Sequence, residues 1–469
     1  MDELPEQLEK FWRRYRFCFW TRTRDQSPLA YHYLSGLLRM EAKRNFAEIG
    51  RKTGISGERM QHFMTNSPWA KDAVCRQVQA DICATPALHG GVLVLDESAD
   101  AKSGTCSAGA ARQYNGRLGK VDVCQVGVFL TFVKGQWWTW VDGELFIPED
   151  WFGAEFADLR ERVGIPSERT SKSKVELGWD MVQRAQSNGL PFDFLACDSL
   201  YGRADWFRSR LAQAGILYMA DVPRTTQVYL ERPEWGVPPT PEGHKGPHFR
   251  KPRVLSDDKP VQVKEIIKDT HTSLTTLQVR STERGMLESE YAAQQVWTLR
   301  DGIPTEEWLL FRGDPDGRHT YALSNASAET TLEHLAWMES QRYFVERSIQ
   351  DAKSELGWDE FQAWKFRAWD HHTAMTILAS WFIAQTKLGW AQRYPRDPQL
   401  VSDLEVDELP TLSYANVRTM LRAAMPLPQL SKREARQLVA DHLLNRTRSR
   451  KSRMKRKVAR SHSNSRDPT

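Results

Sequence analysis

The chain has 469 residues, of which 40% are hydrophobic and 27% charged, with a net charge of +5. These are the proportions of an ordinary globular protein with apolar material for a large core in two or three domains. No apolar run reaches the roughly 18 residues of a membrane helix, the acidic start MDELPEQLEK is no secretory signal, and the six cysteines form no C-x-x-C pair and no cluster with histidine. A membrane span, a zinc site and a disulfide framework are therefore not expected, and a reducing cytoplasm is.

Residues 1–88 read as a helical N-terminal domain. Within them EIGRKTGISGERMQHFM has helix-turn-helix spacing. Ile49 is the buried residue of the first helix, Gly50 sits at the crossing and Gly54 makes the turn. Ser56 caps the second helix, and Ile55, Met60 and Phe63 anchor it. Arg59, Gln61 and His62 then face outward, where base edges or phosphates are met in DNA-binding proteins, although a plain helical hairpin has the same pattern.

From Gly90 the periodicity turns to strands. VLVLD (92–96), VGVFLTFV (126–133) and WWTWVDGELFIP (137–148) form a predicted meander. In the glycine-rich connection between the first two, Lys102, Arg112, Arg117 and Lys120 stand among small residues, which lets backbone and cations approach a phosphate. A helix (VELGWDMVQRAQSNG), a strand (FDFLACD, 192–198), a helix (ADWFRSRLAQAG) and a strand (ILYMADVP) complete a mixed α/β sheet over 89–223. Residues 224–330 break this rhythm: PPTPEGHKGPHFRKP reads as a loop, and VWTLRD, EEWLLFR and HTYALSN as strands of a β-rich insertion. Helix returns over 331–390 as one long region, in which 373–388 is a buried helix and His371 and His372 cap or pack rather than bind metal. A Pro-punctuated helical region covers 391–444. Residues 445–469 hold ten Lys and Arg against one acid, whereas the other 444 residues carry 55 basic and 59 acidic side chains. Such a disordered tail has almost nothing to bury, and either attracts phosphates or solubilises the chain.

Asp96 and Asp198 are each the first acid after a buried strand. Strand-end aspartates are common turn formers, but two of them with a third acid on a later helix suit two-metal phosphoryl transfer, in which carboxylates converge from separate elements. Glu346, Asp351 and Glu355 are the candidates for the third. Arg342, Glu346 and Lys353, spaced by four and seven, share one helix face, and Asp351 points away. On spacing alone a solvent-exposed salt-bridge helix is the better reading of this face. Asp122 and Asp142 are expected on the surface.

Three segments resemble the DDE transposases of bacterial insertion sequences, over roughly residues 90–374. VLDESADAKSGTCSAGAARQYNGRLGKVDVCQVGVFL resembles the segment around the family's first catalytic Asp, ACDSLYG that around the second, and YALSNA with RYFVERSIQDAKSELGWDEFQAW the helix carrying the Glu. The family's Tyr-Arg-Glu-Lys signature is met by Arg342, Glu346 and Lys353, with Glu339 at the Tyr position. The resemblance implies an RNase H-like core in which Asp96, Asp198 and Glu346 hold two Mg²⁺ or Mn²⁺ ions, while Arg342, Lys353 and the cations of the glycine-rich segment contact DNA. It implies cleavage of double-stranded DNA at transposon ends, attack of the freed 3′-OH on target DNA, a homodimer on DNA, and a place on the bacterial nucleoid. In relatives that form DNA hairpins, aromatics of the insertion hold a flipped base; Trp297 and Trp308 occupy such positions, with strand-core packing as the simpler assignment. A structure-selective nuclease on the same core, or a DNA-binding protein that has lost catalysis, are the rival readings.

Overall fold

Five strands carry the centre of the structure. It is a computed structural model that describes residues 3–116, 118–239, 250–267, 274–282, 285–393 and 411–428, with scattered positions between 431 and 454. β1 (Gly91–Ala101), β3 (Lys120–Lys134) and β4 (Trp137–Phe146) form the expected antiparallel meander, and β2 (Ala111–Asn115) pairs with the start of β3. The glycine-rich connection is thus partly a strand. β5 (Phe192–Cys197) lies parallel to β1, and β6 (Leu217–Val222) parallel to β5. The order β4-β3-β1-β5-β6 is that of the RNase H-like fold.

The apolar runs of β1 and β5 are continuous because helices cover both faces of a parallel pair. Side chains alternate along β1. Val92 and Val94 pack in a core with Leu335 and Val345, on the side of α11 (Leu332–Ser340) and α12 (Tyr343–Ser354). Leu95 meets the other side, where Gly178 of α7 (Lys174–Ser187) leaves it room: a Cβ there would lie 2.5 Å from it. α6 (Ala157–Val163) precedes α7, and α8 (Ser199–Gly202) and α9 (Asp205–Gln213) connect β5 to β6.

The β-rich segment extends the same sheet. β7 (Thr275–Thr282), β8 (Gly285–Arg300), β9 (Ile303–Gly313) and β10 (His319–Ser324) run antiparallel, and β10 pairs with β6, giving ten strands among the described residues. α10 (Val263–Ile266) precedes them, and most of the predicted loop at 238–252 lies outside the described residues. The helical region after 331 consists of three helices: α12 starts after a break at Gln341–Arg342, and Gly357 at φ +69° turns the chain before α13 (Phe366–Arg393).

α13 is buried as predicted, and the N-terminal helices α1 (Leu4–Tyr15), α2 (Ser27–Arg39), α3 (Phe46–Thr53), α4 (Gly57–Thr65) and α5 (Lys71–Cys83) are folded in one compact unit with it, spanning residues 1–425. α14 (Tyr414–Ala424) joins through Tyr414, which donates to the Trp138 carbonyl at 2.9 Å. The helix-turn-helix pair is α3 and α4. Gly54 turns it at φ +76°, Ser56 accepts from the Arg59 N–H, and Arg59, Gln61 and His62 are exposed. Ile55 is only half-buried. All six cysteines are free, and no described helix is long and apolar enough to cross a membrane.

His371 and His372 pack in the core, as expected. The Trp358 carbonyl can only accept, so His372 Nε2–H donates to it at 3.1 Å, and in the neutral ring Nδ1 accepts from the Tyr33 hydroxyl at 2.8 Å. Burial lowers the ring's pKa from 6.5 to about 3. The unfolded chain therefore takes up a proton in this range that the folded chain does not. The associated stability is complete above pH 6.5 and is lost as pH falls toward 3. Between pH 7 and 4.5 the melting temperature of His372→Gln is expected to fall less than that of the wild type, although the variant starts lower. Parallel pH profiles would remove this histidine as a cause.

Candidate active site

The hydrogen-bonded ladder between β1 and β5 ends at Leu95↔Cys197. The next residue on each strand is a candidate acid, Asp96 and Asp198. Ligands of open α/β sheets bind at such carboxyl ends, where neighbouring strands part. Asp96 Oδ1 accepts from the Glu97 N–H at 2.7 Å. Asp198 caps α8 and accepts from the Leu200 N–H at 2.9 Å. Oxygens of Asp96, Glu97 and Asp198 all lie within 4.8 Å of one another. They open into a cavity of about 970 Å³ that Glu346, Lys353 and Tyr114 also line.

Burial, and then the charges of Asp198 and Glu97, hold the Asp96 carboxyl well above the usual carboxylate range. Burial and the Glu97 charge push Asp198 up to about 6. An all-oxygen donor set with raised proton affinity is one that a hard divalent cation relieves, and the residues present fit such an ion.

Glu346 stands in the first turn of α12 with its side chain 58% exposed, 3.3 Å from an Arg342 nitrogen. The Arg342 Nε also meets Asp221 at 2.8 Å. Asp221 is a buried acid in the sheet that the sequence reading passed over, although it follows the apolar run LYMA at the end of β6 just as Asp96 and Asp198 follow theirs. Burial raises Asp221 to about 7 against the pull of Arg342. Burial opposes the charge on Arg342, but Asp221, Asp96 and Glu346 together hold its pKa above the usual value. The arginine expected to face phosphate thus sits among five acids: Asp221, Asp96, Glu346 and Glu339, and Asp198, whose charge it also offsets.

Lys353, in the last turn of α12, donates to the Ala99 carbonyl at 3.0 Å and lies 5.6 Å from the centre of the Trp358 ring. Asp351 points away, as expected, and accepts from Trp138 Nε1 at 3.1 Å. At the family's Tyr position, Glu339 is buried and takes two contacts of 3.2 Å from Arg312. Of the glycine-rich segment, Arg112 and Lys120 are exposed, and Arg117 lies outside the described residues. Lys102 is turned inward onto Asp100 and over the Phe361 ring. Trp297 and Trp308 are half-buried; Arg232 lies over the first, and the second donates to the Ser327 carbonyl at 2.9 Å. Asp142 is buried rather than on the surface, because β4 is covered by α5 and α7, whose Lys71 and Arg184 pair with it at 3.6 and 2.8 Å.

Gly202, the glycine of ACDSLYG, lets α8 lie directly on β6. A Cβ there would stand 1.9 Å from the Asp221 carbonyl.

An RNase H-like sheet with acids where its two central strands part is the frame of a metal-dependent nucleic-acid-cutting enzyme. Residues 15–286 match the family described as DDE superfamily endonuclease, and the chain belongs to that family. It is similar to a probable transposase for insertion sequence element IS701 from Microchaete diplosiphon, with 25% identity over 345 residues, or 71% of this chain and 76% of the relative. Among solved structures, it aligns with a piggyBac transposase synaptic complex with hairpin DNA over 93% of this chain and 82% of that one, at 10% identity and a TM-score of 0.34.

Two stability measurements test this arrangement. Gly202→Ala is expected to cost at least about 2 kcal/mol, read by urea unfolding, since the obstructing atom is backbone. Arg342→Gln strands Asp221 in the core and is expected to cost about 3 kcal/mol, whereas Arg342→Gln with Asp221→Asn costs clearly less than the two single losses combined. Additive losses would mean that the two side chains do not act as a pair.

Proposed function

We propose that the chain is a DNA transposase of the insertion-sequence kind. It cuts double-stranded DNA at its element's ends and joins the freed 3′-OH to target DNA, with Asp96, Asp198 and Glu346 as its metal-holding carboxylates. The observation that carries this reading is the meeting of Asp96 and Asp198, far apart in sequence, just past the Leu95↔Cys197 pair in a cavity that Glu346 shares.

Mg²⁺ or Mn²⁺, two ions per site, would supply Lewis-acid activation of the attacking oxygen and charge relief at the phosphate when bound. The chain's own groups do the rest. Strand ends fix the two aspartates, and the α8 cap aims Asp198 into the cavity. Glu346 completes the set from α12. Lys353, with its amine on the cavity wall, meets a backbone phosphate, and Arg342 tunes the acids and contacts phosphate at their edge. Arg112, Arg117 and Lys120, with Lys102 at the root of their segment, follow the DNA strand, and Arg59, Gln61 and His62 read or position the transposon end. The helical domain of residues 1–88 serves recognition, 89–223 and 331–390 form the catalytic core, 224–330 is the β-rich insertion, and 391–444 and the tail 445–469 complete the chain. The working form is a homodimer on DNA at the bacterial nucleoid.

Labelled end DNA with a target plasmid tests the proposal. The wild type is expected to yield both nicked ends and joined products, and Asp198→Ala to lose both by on the order of 10³-fold at unchanged DNA affinity. Cleavage without any joined product would make the enzyme a nuclease. Full activity in Asp198→Ala would end the catalytic assignment.

A further inference from the structure

We propose that Glu97 is a metal-holding carboxylate of the DNA-free enzyme, acting with Asp96 and Asp198. This rests on the reading of Asp96 and Asp198 as the metal site and adds a residue to it.

Strand alternation alone would separate the neighbours. Asp96 follows Val92 and Val94 toward the α12 side, and Glu97 follows Leu95 toward the α7 side. Yet both place an oxygen within 4.8 Å of each other and of Asp198. The reason is local. Both stand beyond the last β1–β5 pair, on the edge of β1 that β5 has left open, so no strand lies between them and Asp198, and the longer side chain of Glu97 reaches across that open edge. Glu346 is not in that group among the described residues; its carboxylate is with Arg342.

Glu97 is also held in place. Lys174 donates to its Oε1 at 2.9 Å, and the buried Tyr201 hydroxyl donates to its Oε2 at 3.3 Å. Carboxylates that bind metals are themselves fixed by such hydrogen bonds, which orient the lone pairs left for the ion. An ion pair with Lys174 alone gives no reason for the carboxylate to sit this close to two aspartates. Like charges at this range repel, and a side chain 25% exposed has room to turn away. A shared cation accounts for both the approach and the clamp.

Mn²⁺ alone, titrated into the full-length DNA-free protein with free Mn²⁺ read by electron paramagnetic resonance, tests this. Asp96→Asn and Glu97→Gln are each expected to weaken binding about tenfold or more, Glu346→Gln by less than about twofold, and Lys174→Met, which loosens Glu97 but leaves its carboxylate, by clearly less than Glu97→Gln. Unchanged binding in Glu97→Gln, with loss in Asp96→Asn and Asp198→Asn, overturns the role of Glu97 and leaves the site reading standing. Unchanged binding in all three removes the site reading and this inference together. A loss in Lys174→Met equal to that in Glu97→Gln also overturns it, because the ion pair would then be the working unit. Metal-free melting curves show that each variant is folded. If Glu97→Gln is not, Glu97→Asp, which withdraws the same charge by one methylene, takes its place with the same expected loss.

Discussion

Everything at the centre of this molecule answers to one electrostatic constraint. Two strand-end aspartates and a neighbouring glutamate are held together in a half-dry cleft where their charges repel. Such an arrangement is uphill unless the surrounding protein supplies compensation and rigidity. Three devices do so here. Backbone N–H groups of Glu97 and Leu200 turn toward Asp96 and Asp198. Lys174 clamps Glu97 from α7. Arg342 stands at the start of α12, where its charge offsets both aspartates while Asp221 fixes its position.

The rigidity comes from the sheet. Leu93, Val94, Leu95 and the matching stretch Leu195, Ala196 and Cys197 are buried on both sides by helices, so the backbone that carries the aspartates has little freedom. The helix bearing Glu346 is pinned through Val345 in the same core as Val92 and Val94. The acids therefore sit on stiff elements, while Glu346 itself remains in solvent on a single arginine contact. Among the candidate carboxylates it is the one with conformational freedom left, which suits a group that finishes its site only when substrate arrives.

Much of this was legible in the residues. A run of apolar residues ending on an acid marks a buried strand; Asp198 follows the end of its strand, whereas β1 runs on past Asp96 to Ala101 and only its pairing with β5 stops there. Applied once more, that rule would have found Asp221. What the rule does not reveal is its role, which comes from a contact with a residue 121 positions away. Glu97 was hidden for a different reason: period-two alternation assigns it to the opposite face, and only the fraying of the β1–β5 ladder cancels that. Asp142 was expected on the surface because a charged letter says nothing about whether a helix covers it. Asp142 lies under α5 and α7, and Lys102 spends its charge on Asp100. Local chemistry with local causes, such as the Ser56 cap and the Gly54 turn, came through intact.

The pairing of β10 with β6 gives the β-rich segment a mechanical meaning. Ala322 of β10 stands opposite Asp221, so the chain that departs after residue 222 returns, about a hundred residues later, to lie against the acid that steadies Arg342. The four added strands are thus keyed into the catalytic sheet like a ratchet. A one-residue slip of β10 along β6 would realign every side chain behind Asp221. The outer edge, at β7, lies three strands away from the one that holds this register against the acids.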